Sequence, residues 1–208
     1  MGNISSQDIT LIYGGTFDPI HNGHIMLARY VASLPDVKEV WLMISPQNPL
    51  KQTSRISDDR TRLKMASIAL EDEEAPIRVS DFETLLPKPT YTAETLRRLS
   101  QKYPERRFGL LIGSDNWLCF DLWREAPYIL SHHPIFIYPR PGYEAGDYRP
   151  EALSAIEHPG VTYLENAPLA DISSTHIRSL LAAGISPEGL TPKPVADFIL
   201  ENHERLYR

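Results

Sequence analysis

Eleven residues near the start of the chain hold the densest set of chemically useful side chains: Gly14-Gly15-Thr16-Phe17-Asp18-Pro19-Ile20-His21-Asn22-Gly23-His24. They follow an apolar run, Ile9 to Tyr13, and open an amphipathic stretch, so they read as a strand end turning into a helix start. The glycine pair lets the backbone turn sharply and approach a ligand closely. Amides at a helix start, together with the helix dipole, favour an anion. His21 and His24 are three residues apart and share one face at that helix start. Phosphate binding is the chemistry this combination fits best. The competing readings are a metal pair or two incidental surface histidines. A zinc site would need a third ligand, none is evident in sequence, and one from elsewhere in the fold stays open. Neither the Walker A nor the GxGxxG spacing is present.

A second constellation lies late in the chain, at Ile172-Ser173-Ser174-Thr175-His176-Ile177-Arg178. Hydroxyls, helix-start amides and an arginine one turn on can hold phosphates, although a serine-capped helix with a solvated arginine would look the same. No Ser-His-Asp or Cys-His arrangement appears. The single cysteine, Cys119, excludes an intrachain disulfide and a multi-cysteine metal site, and its run Trp117-Leu118-Cys119-Phe120 predicts a buried, inert thiol. The other histidines, His132, His133, His158, His176 and His203, are expected in structural or solvent roles.

The elements that must position these groups alternate. Strands are expected over 9–13, 40–44, 77–80, 108–112, 134–138 and 161–164. Helices are expected from His24 to Ser33, with Ile25, Ala28, Tyr30 and Val31 inward. A second should run from an N-cap at Ser57, with Asp58 and Asp59 in its first turn, to about Leu70. Further helices are expected over 92–102, 174–183 (stopped by Gly184) and 195–202. Segments 45–56 and 139–150 read as loops, and the acidic run Glu71-Asp72-Glu73-Glu74 as a solvated, frayed helix end. The alternation predicts a single α/β, doubly wound domain, with a mainly parallel sheet of about six strands and helices on both faces. Ligands in such sheets bind beyond the carboxyl ends of the strands, where Tyr13-Gly14-Gly15 and Ile112-Gly113-Ser114 both fall.

Composition narrows the rest. The 208 residues are 42% hydrophobic and 23% charged, which excludes intrinsic disorder. Lys+Arg 21 against Asp+Glu 27 leaves −6, a poor balance for binding nucleic acid or an anionic membrane. The longest apolar runs, about five or six residues, fall far short of the roughly 20 of a membrane-spanning helix. With no signal peptide, the cytoplasm is the expected compartment. Met1-Gly2-Asn3-Ile4-Ser5-Ser6 fits loose patterns for myristoylation and glycosylation, both short enough to arise by chance, and reads as a polar lead-in.

The two constellations, in this order and separation, resemble the HxGH loop and the ISSTxxR segment of the nucleotidyltransferase superfamily. Over nearly the whole chain the likeness is to the bacterial nicotinate-nucleotide adenylyltransferases. Pro89-Thr90-Tyr91-Thr92-Ala93-Glu94-Thr95-Leu96 resembles that family's SYTxxTL segment, with Thr90 where serine is common. Ile112-Gly113-Ser114-Asp115 followed by Leu122-Trp123 resembles its IGxD…W block, Pro139-Arg140-Pro141-Gly142-Tyr143 its RPGY segment, and Leu206-Tyr207-Arg208 its close. These blocks set it apart from the phosphopantetheine and glycerol-phosphate enzymes.

The resemblance implies one Rossmann-like domain over residues 1–208, with a C-terminal helical part from about 171 packed on it. It implies adenylyl transfer from ATP to nicotinate mononucleotide, giving deamido-NAD and pyrophosphate. The acceptor phosphate, already ionised, would attack in line, so positioning and charge neutralisation suffice. His21 and His24 would serve the triphosphate, with Lys51 neutralising the reacting phosphates unless it is merely a solvated loop lysine. Arg178 would hold the leaving pyrophosphate, and Ser174 and Thr175 the β- and γ-phosphates. Gly14, Gly15, Thr16 and Phe17 would line the ATP site. Gly113 and Asp115 would face its ribose, where Asp115 could equally cap a helix. Backbone amides at Tyr91 and Thr92 would hold the nicotinate carboxylate, and Trp123 would stack on the pyridine. Trp117 reads better as core, and Arg140 would approach a phosphate of the nicotinate mononucleotide. Mg²⁺ would travel with ATP, bound by phosphates and water rather than by a protein cage. Rival readings are nicotinamide mononucleotide or another phosphorylated acceptor, a non-catalytic nucleotide sensor, and a metal hydrolase. A homo-oligomer is left open.

Overall fold

A computed structural model describes residues 8–46, 56–143, 150–202 and 206. Six strands, β1 (Ile9–Gly15), β2 (Val37–Ile44), β3 (Ile77–Ser80), β4 (Arg107–Gly113), β5 (Ile135–Tyr138) and β6 (Val161–Tyr163), form one sheet in the order β3-β2-β1-β4-β5-β6. Every neighbouring pair is parallel. The chain winds outward from β1 to β3 and then restarts at β4 on the other side of β1. The sheet therefore switches direction between β1 and β4, beside Gly15 and Gly113, where side loops diverge and leave a crevice.

Period-two alternation divides the strand residues between two cores. Leu11, Tyr13, Val40, Leu42 and Ile44 face α1 (Asn22–Ala32) and α2 (Asp59–Ala69), and share that core with Ile177 and Leu181 of α6 (Ser174–Ala182) and with Val195 and Ile199 of α7 (Lys193–Glu201). Ile12, Trp41, Met43, Leu110 and Ile112 face the other way, against Ala93, Leu96 and Leu99 of α3 (Thr92–Lys102) and Ile129 and Leu130 of α5 (Ala126–His132). The wholly apolar strand runs are thus buried on both faces, as an all-parallel sheet requires. No helix among the described residues is long and apolar enough to cross a membrane.

Several boundaries differ from the sequence expectation. Helix α1 starts at Asn22, and His21, not a later residue, is its N-cap. Its inward residues are Ile25, Leu27, Ala28 and Val31, while Tyr30 stays half-buried. Asp58, not Ser57, caps α2: its carboxylate accepts the Thr61 N–H at 2.9 Å, and an ionised acceptor at that position also suits the dipole. The acidic run after α2 is not simply solvated. Glu73 has a nearly buried side chain, which accepts from Arg29 at 2.8 Å and from the Ala75 N–H at 3.0 Å. A short helix α4 (Ser114–Trp117) and α5 fill the β4–β5 crossover. Helix α6 ends as foreseen at Gly184, with φ +74°; the Ile185 N–H reaches Leu180 O and the Gly184 N–H reaches Leu181 O, a Schellman closure.

Candidate active site

Gly14, Gly15 and Thr16 are open to solvent at the end of β1, while Phe17, Asp18, Pro19, Ile20 and His21 behind them are buried. Phe17 makes this possible by adopting φ +48°, a conformation that costs a non-glycine residue about 1 kcal/mol. Its ring is held edge-on against Tyr13 at 5.4 Å and His24 at 4.9 Å between centroids. The loop then folds back so that the two imidazoles stack, 3.5 Å apart and 21° from parallel. The His21 backbone N–H donates to His24 Nδ1 at 3.2 Å. That bond makes Nδ1 the acceptor of His24 and leaves its proton on Nε2, a donor. His21 Nδ1 is buried without a hydrogen-bond partner among the described residues. Gly23 permits the crowding: a Cβ there would lie 2.9 Å from Ala170 Cβ and 3.1 Å from the His21 ring.

Both rings are neutral at pH 7. Burial, with the Arg140 charge as a smaller contributor, pushes His21 down to about 4. Burial, then His21 and Arg140, hold His24 well below the usual imidazole range. Two stacked rings in one desolvated pocket do not both take a proton.

The segment that opens α6 is tied to this loop. Arg178 donates to the Asp18 carbonyl at 2.7 Å and to Thr175 Oγ1 at 3.1 Å, and Ser174 Oγ donates to the Pro19 carbonyl at 3.0 Å. Ser173 caps the helix by accepting the His176 N–H at 3.1 Å. Arg178 is therefore only part-solvated, and Thr175 stays exposed beside it. Two motifs more than 150 residues apart in sequence meet here.

Across the switch point, Ser114 Oγ accepts the Arg140 N–H at 2.9 Å, and the Asp115 carboxylate lies 3.8 Å from Arg140 Nε. A side chain at Gly113 would collide with the Asp115 carboxylate and the Arg140 stem. The Arg140 charge also acts on Tyr138, whose ring stands edge-on to Tyr13, 6.0 Å between centroids. Burial raises both phenols and keeps them neutral. Burial works against the Arg140 charge, but Tyr138 and Asp115 outweigh it. Arg140 thus stands by Asp115, and its charge adds to burial in lowering both imidazoles.

On the α3 side, Tyr91 is the residue before the helix, with extended backbone, and Thr92 begins the first turn. A cavity of about 290 Å³ is bordered there by Thr90, Tyr91, Glu94, Arg98, Arg124 and Glu125. Trp123 precedes Arg124 in the chain but is not a wall of that cavity; it is half-buried against Phe120, 5.4 Å between centroids. Trp117 is fully buried and belongs to the core. Lys51 lies outside the described residues. Among the described residues no group of three or more His, Cys, Asp and Glu is arranged to hold a metal ion.

The cytidylyltransferase-like family model matches residues 12–180. A protein of Bacteroides fragilis named "Probable nicotinate-nucleotide adenylyltransferase" is 43% identical over 175 residues, covering 84% of this chain and 83% of its own. Another of that name, from Flavobacterium johnsoniae, is 38% identical over 197 residues, covering 95% and 97%. The chain belongs to the nicotinate-nucleotide adenylyltransferases of the cytidylyltransferase-like family. The fold agrees. A solved Plasmodium falciparum nicotinic acid mononucleotide adenylyltransferase, complexed with NaAD, aligns with a TM-score of 0.76 at 20% identity, over 97% of this chain and 98% of that one.

As a member of this family, the chain has one positioning residue that motif reading passes over. Arg62 on α2 is wholly buried, yet its guanidinium donates to Thr16 O (2.7 Å), Ser45 O (2.8 Å) and Ser57 O (3.1 Å) and pairs with Asp59 at 2.5 Å. It joins the loops after β1 and β2 to the start of α2, and so sets the floor of the glycine turn. The available signal was an arginine on the same helix face as buried Met65 and Ala66, where a charge needs several partners. Cys119 corrects the expectation of a buried thiol. It is exposed, with Sγ 3.6 Å from Asp115 O and 3.5 Å from Asn116 O, because α4 turns its apolar side to Trp117 and Phe120 instead.

Proposed function

We propose that the protein transfers the adenylyl group of ATP to nicotinate mononucleotide, giving deamido-NAD and pyrophosphate. The observation that carries this reading is the pair of neutral, stacked imidazoles at the end of β1, with a defined Nε2 donor and an unpartnered buried nitrogen, clamped to the serine- and arginine-bearing start of α6. An oxygen of the acceptor phosphate attacks the α-phosphorus in line; the new P–O bond forms as the bond to the β-phosphate oxygen breaks. No proton need move, because the attacking phosphate is already ionised.

Donors aimed at the developing charge do the rest. His24 Nε2–H and the turn Gly14 to Thr16 serve the triphosphate, with Phe17 shaping the turn. Ser174, Thr175 and Arg178 take the leaving pyrophosphate, with Lys51 as a further cation. Gly113 leaves room for Asp115 to accept from the ATP ribose. Arg140 supplies a guanidinium beside the phosphates, Trp123 stacks on the pyridine, and the Tyr91 and Thr92 amides receive its carboxylate. Mg²⁺ would arrive on ATP, bound by its phosphates and water, and would offset phosphate charge there. Both substrates suit a cytoplasmic enzyme.

The test is pyrophosphate release with ATP and Mg²⁺, offering nicotinate and nicotinamide mononucleotides in parallel. Turnover with the acid well above the amide is expected. Equal use of both would discard the recognition of the carboxylate, and silence with both would overturn the reading.

A further inference from the structure

We infer that Arg124 is a specificity-determining residue, a cation bordering the cavity before α3 that pairs with no carboxylate among the described residues, so that an acceptor base bearing a carboxylate is favoured over its amide. This rests on the adenylyl-transfer reading and deepens it. Four charged residues besides Arg124 border or adjoin the cavity, and they cancel one another. Glu94 accepts from Arg98 at 2.5 Å and from Arg97 at 2.9 Å, and Arg97 also donates to Glu125 at 2.9 Å. These hydrogen bonds keep Glu94 ionised, with its pKa lowered, but occupied. Among the described residues, Arg124 makes no ion pair.

Its guanidinium instead lies over the Tyr91 ring, 4.5 Å from the centroid. A cation–π contact of this kind holds the guanidinium against the ring without using a carboxylate partner, so its N–H groups can still meet a carboxylate. Tyr91 ends the extended segment before α3, so the same aromatic ring that seats Arg124 borders the amides proposed to receive the nicotinate carboxylate.

The neighbouring backbone is held to match. Glu125 has φ +55°, a left-handed conformation strained for glutamate, and its carboxylate is anchored by Arg97. Arg97 is itself stacked over Tyr128, 4.2 Å from the ring centroid. The Trp123–Glu125 segment is thereby pinned to α3 and α5, and Arg124 is delivered to one side of Tyr91. A carboxylate gains a charge-assisted contact from this guanidinium, whereas an amide offers only a neutral carbonyl.

The experiment measures kcat/KM for nicotinate and nicotinamide mononucleotides, at saturating ATP and Mg²⁺, in wild type, Arg124→Ala and Arg124→Lys. The alanine variant should lose roughly tenfold more on the acid than on the amide, the size of one charge-assisted hydrogen bond at a partly exposed site. The lysine variant, which keeps the charge, should recover most of the preference, and KM for ATP should not move. An acid-to-amide ratio unchanged in Arg124→Ala overturns the inference, as does an equal loss on both acceptors. A wild type that uses neither acceptor would instead overturn the adenylyl-transfer reading on which it rests.

Discussion

Acid should destabilise this protein through His21 before the carboxylates titrate. His21 is 5% exposed, and burial holds its imidazole down to about 4, against 6.5 for a free histidine. Because the folded value is depressed, the unfolded chain binds more protons between those two values. The stability that His21 contributes is therefore whole above about pH 6.5 and is lost as pH falls towards 4. A gap of about 2.5 pH units at 1.36 kcal/mol each gives a loss of about 3 kcal/mol once complete, with about 2 kcal/mol already gone at pH 5. His24 adds to this in the same direction, because its value is lowered too, in part by His21. Urea unfolding at pH 7.5 and pH 5.0, for wild type and His21→Asn, isolates the effect. The asparagine variant removes the titrating ring and relieves His24 of its neighbour, so its stability should fall by about 2 kcal/mol less than wild type between the two pH values. Parallel losses in the two proteins would refute the reasoning, since they would mean that His21 is no harder to protonate in the fold than in the unfolded chain.

Three further outcomes are expected. His24→Ala should lower kcat by about a hundredfold or more, the usual cost of removing one donor to developing charge, while circular dichroism and the thermal midpoint show the fold retained. Trp123→Ala should raise KM for nicotinate mononucleotide more than KM for ATP, and equal effects on both would contradict the stacking role. Arg62→Ala should cost about 3 kcal/mol by urea unfolding, because three backbone carbonyls and Asp59 lose a buried partner; a loss under about 1 kcal/mol would show that the loops hold without it.

Much of this site is legible because its residues are local. Backbone amides, two histidines on one helix turn and a strand-end glycine pair are adjacent in sequence, so their spacing alone implies convergence. The α3 boundaries, Thr92 to Lys102, also follow from local signals. Other features escape such reasoning because they depend on what lies opposite. Arg62 looks like a surface charge until three carbonyls, from the loops after β1 and β2, close around it. Cys119 sits among apolar residues, yet faces out because Trp117 and Phe120 take the core. Glu73 in an acidic run is nearly buried because Arg29 of α1 reaches it.

Read as a string, then, the chain already determined an α/β doubly wound fold, a glycine- and histidine-bearing turn at the end of its first strand and a serine- and arginine-bearing helix start some 150 residues on, since periodicity and local motifs obey short-range sterics and hydrogen bonding. Tertiary structure alone decided that Arg178 and Ser174 fasten onto the carbonyls of Asp18 and Pro19, that Arg140 stands beside Asp115, and that both imidazoles are neutral. These depend on burial and on partners from distant strands, and desolvation is a property of the whole packed crevice rather than of any stretch of residues.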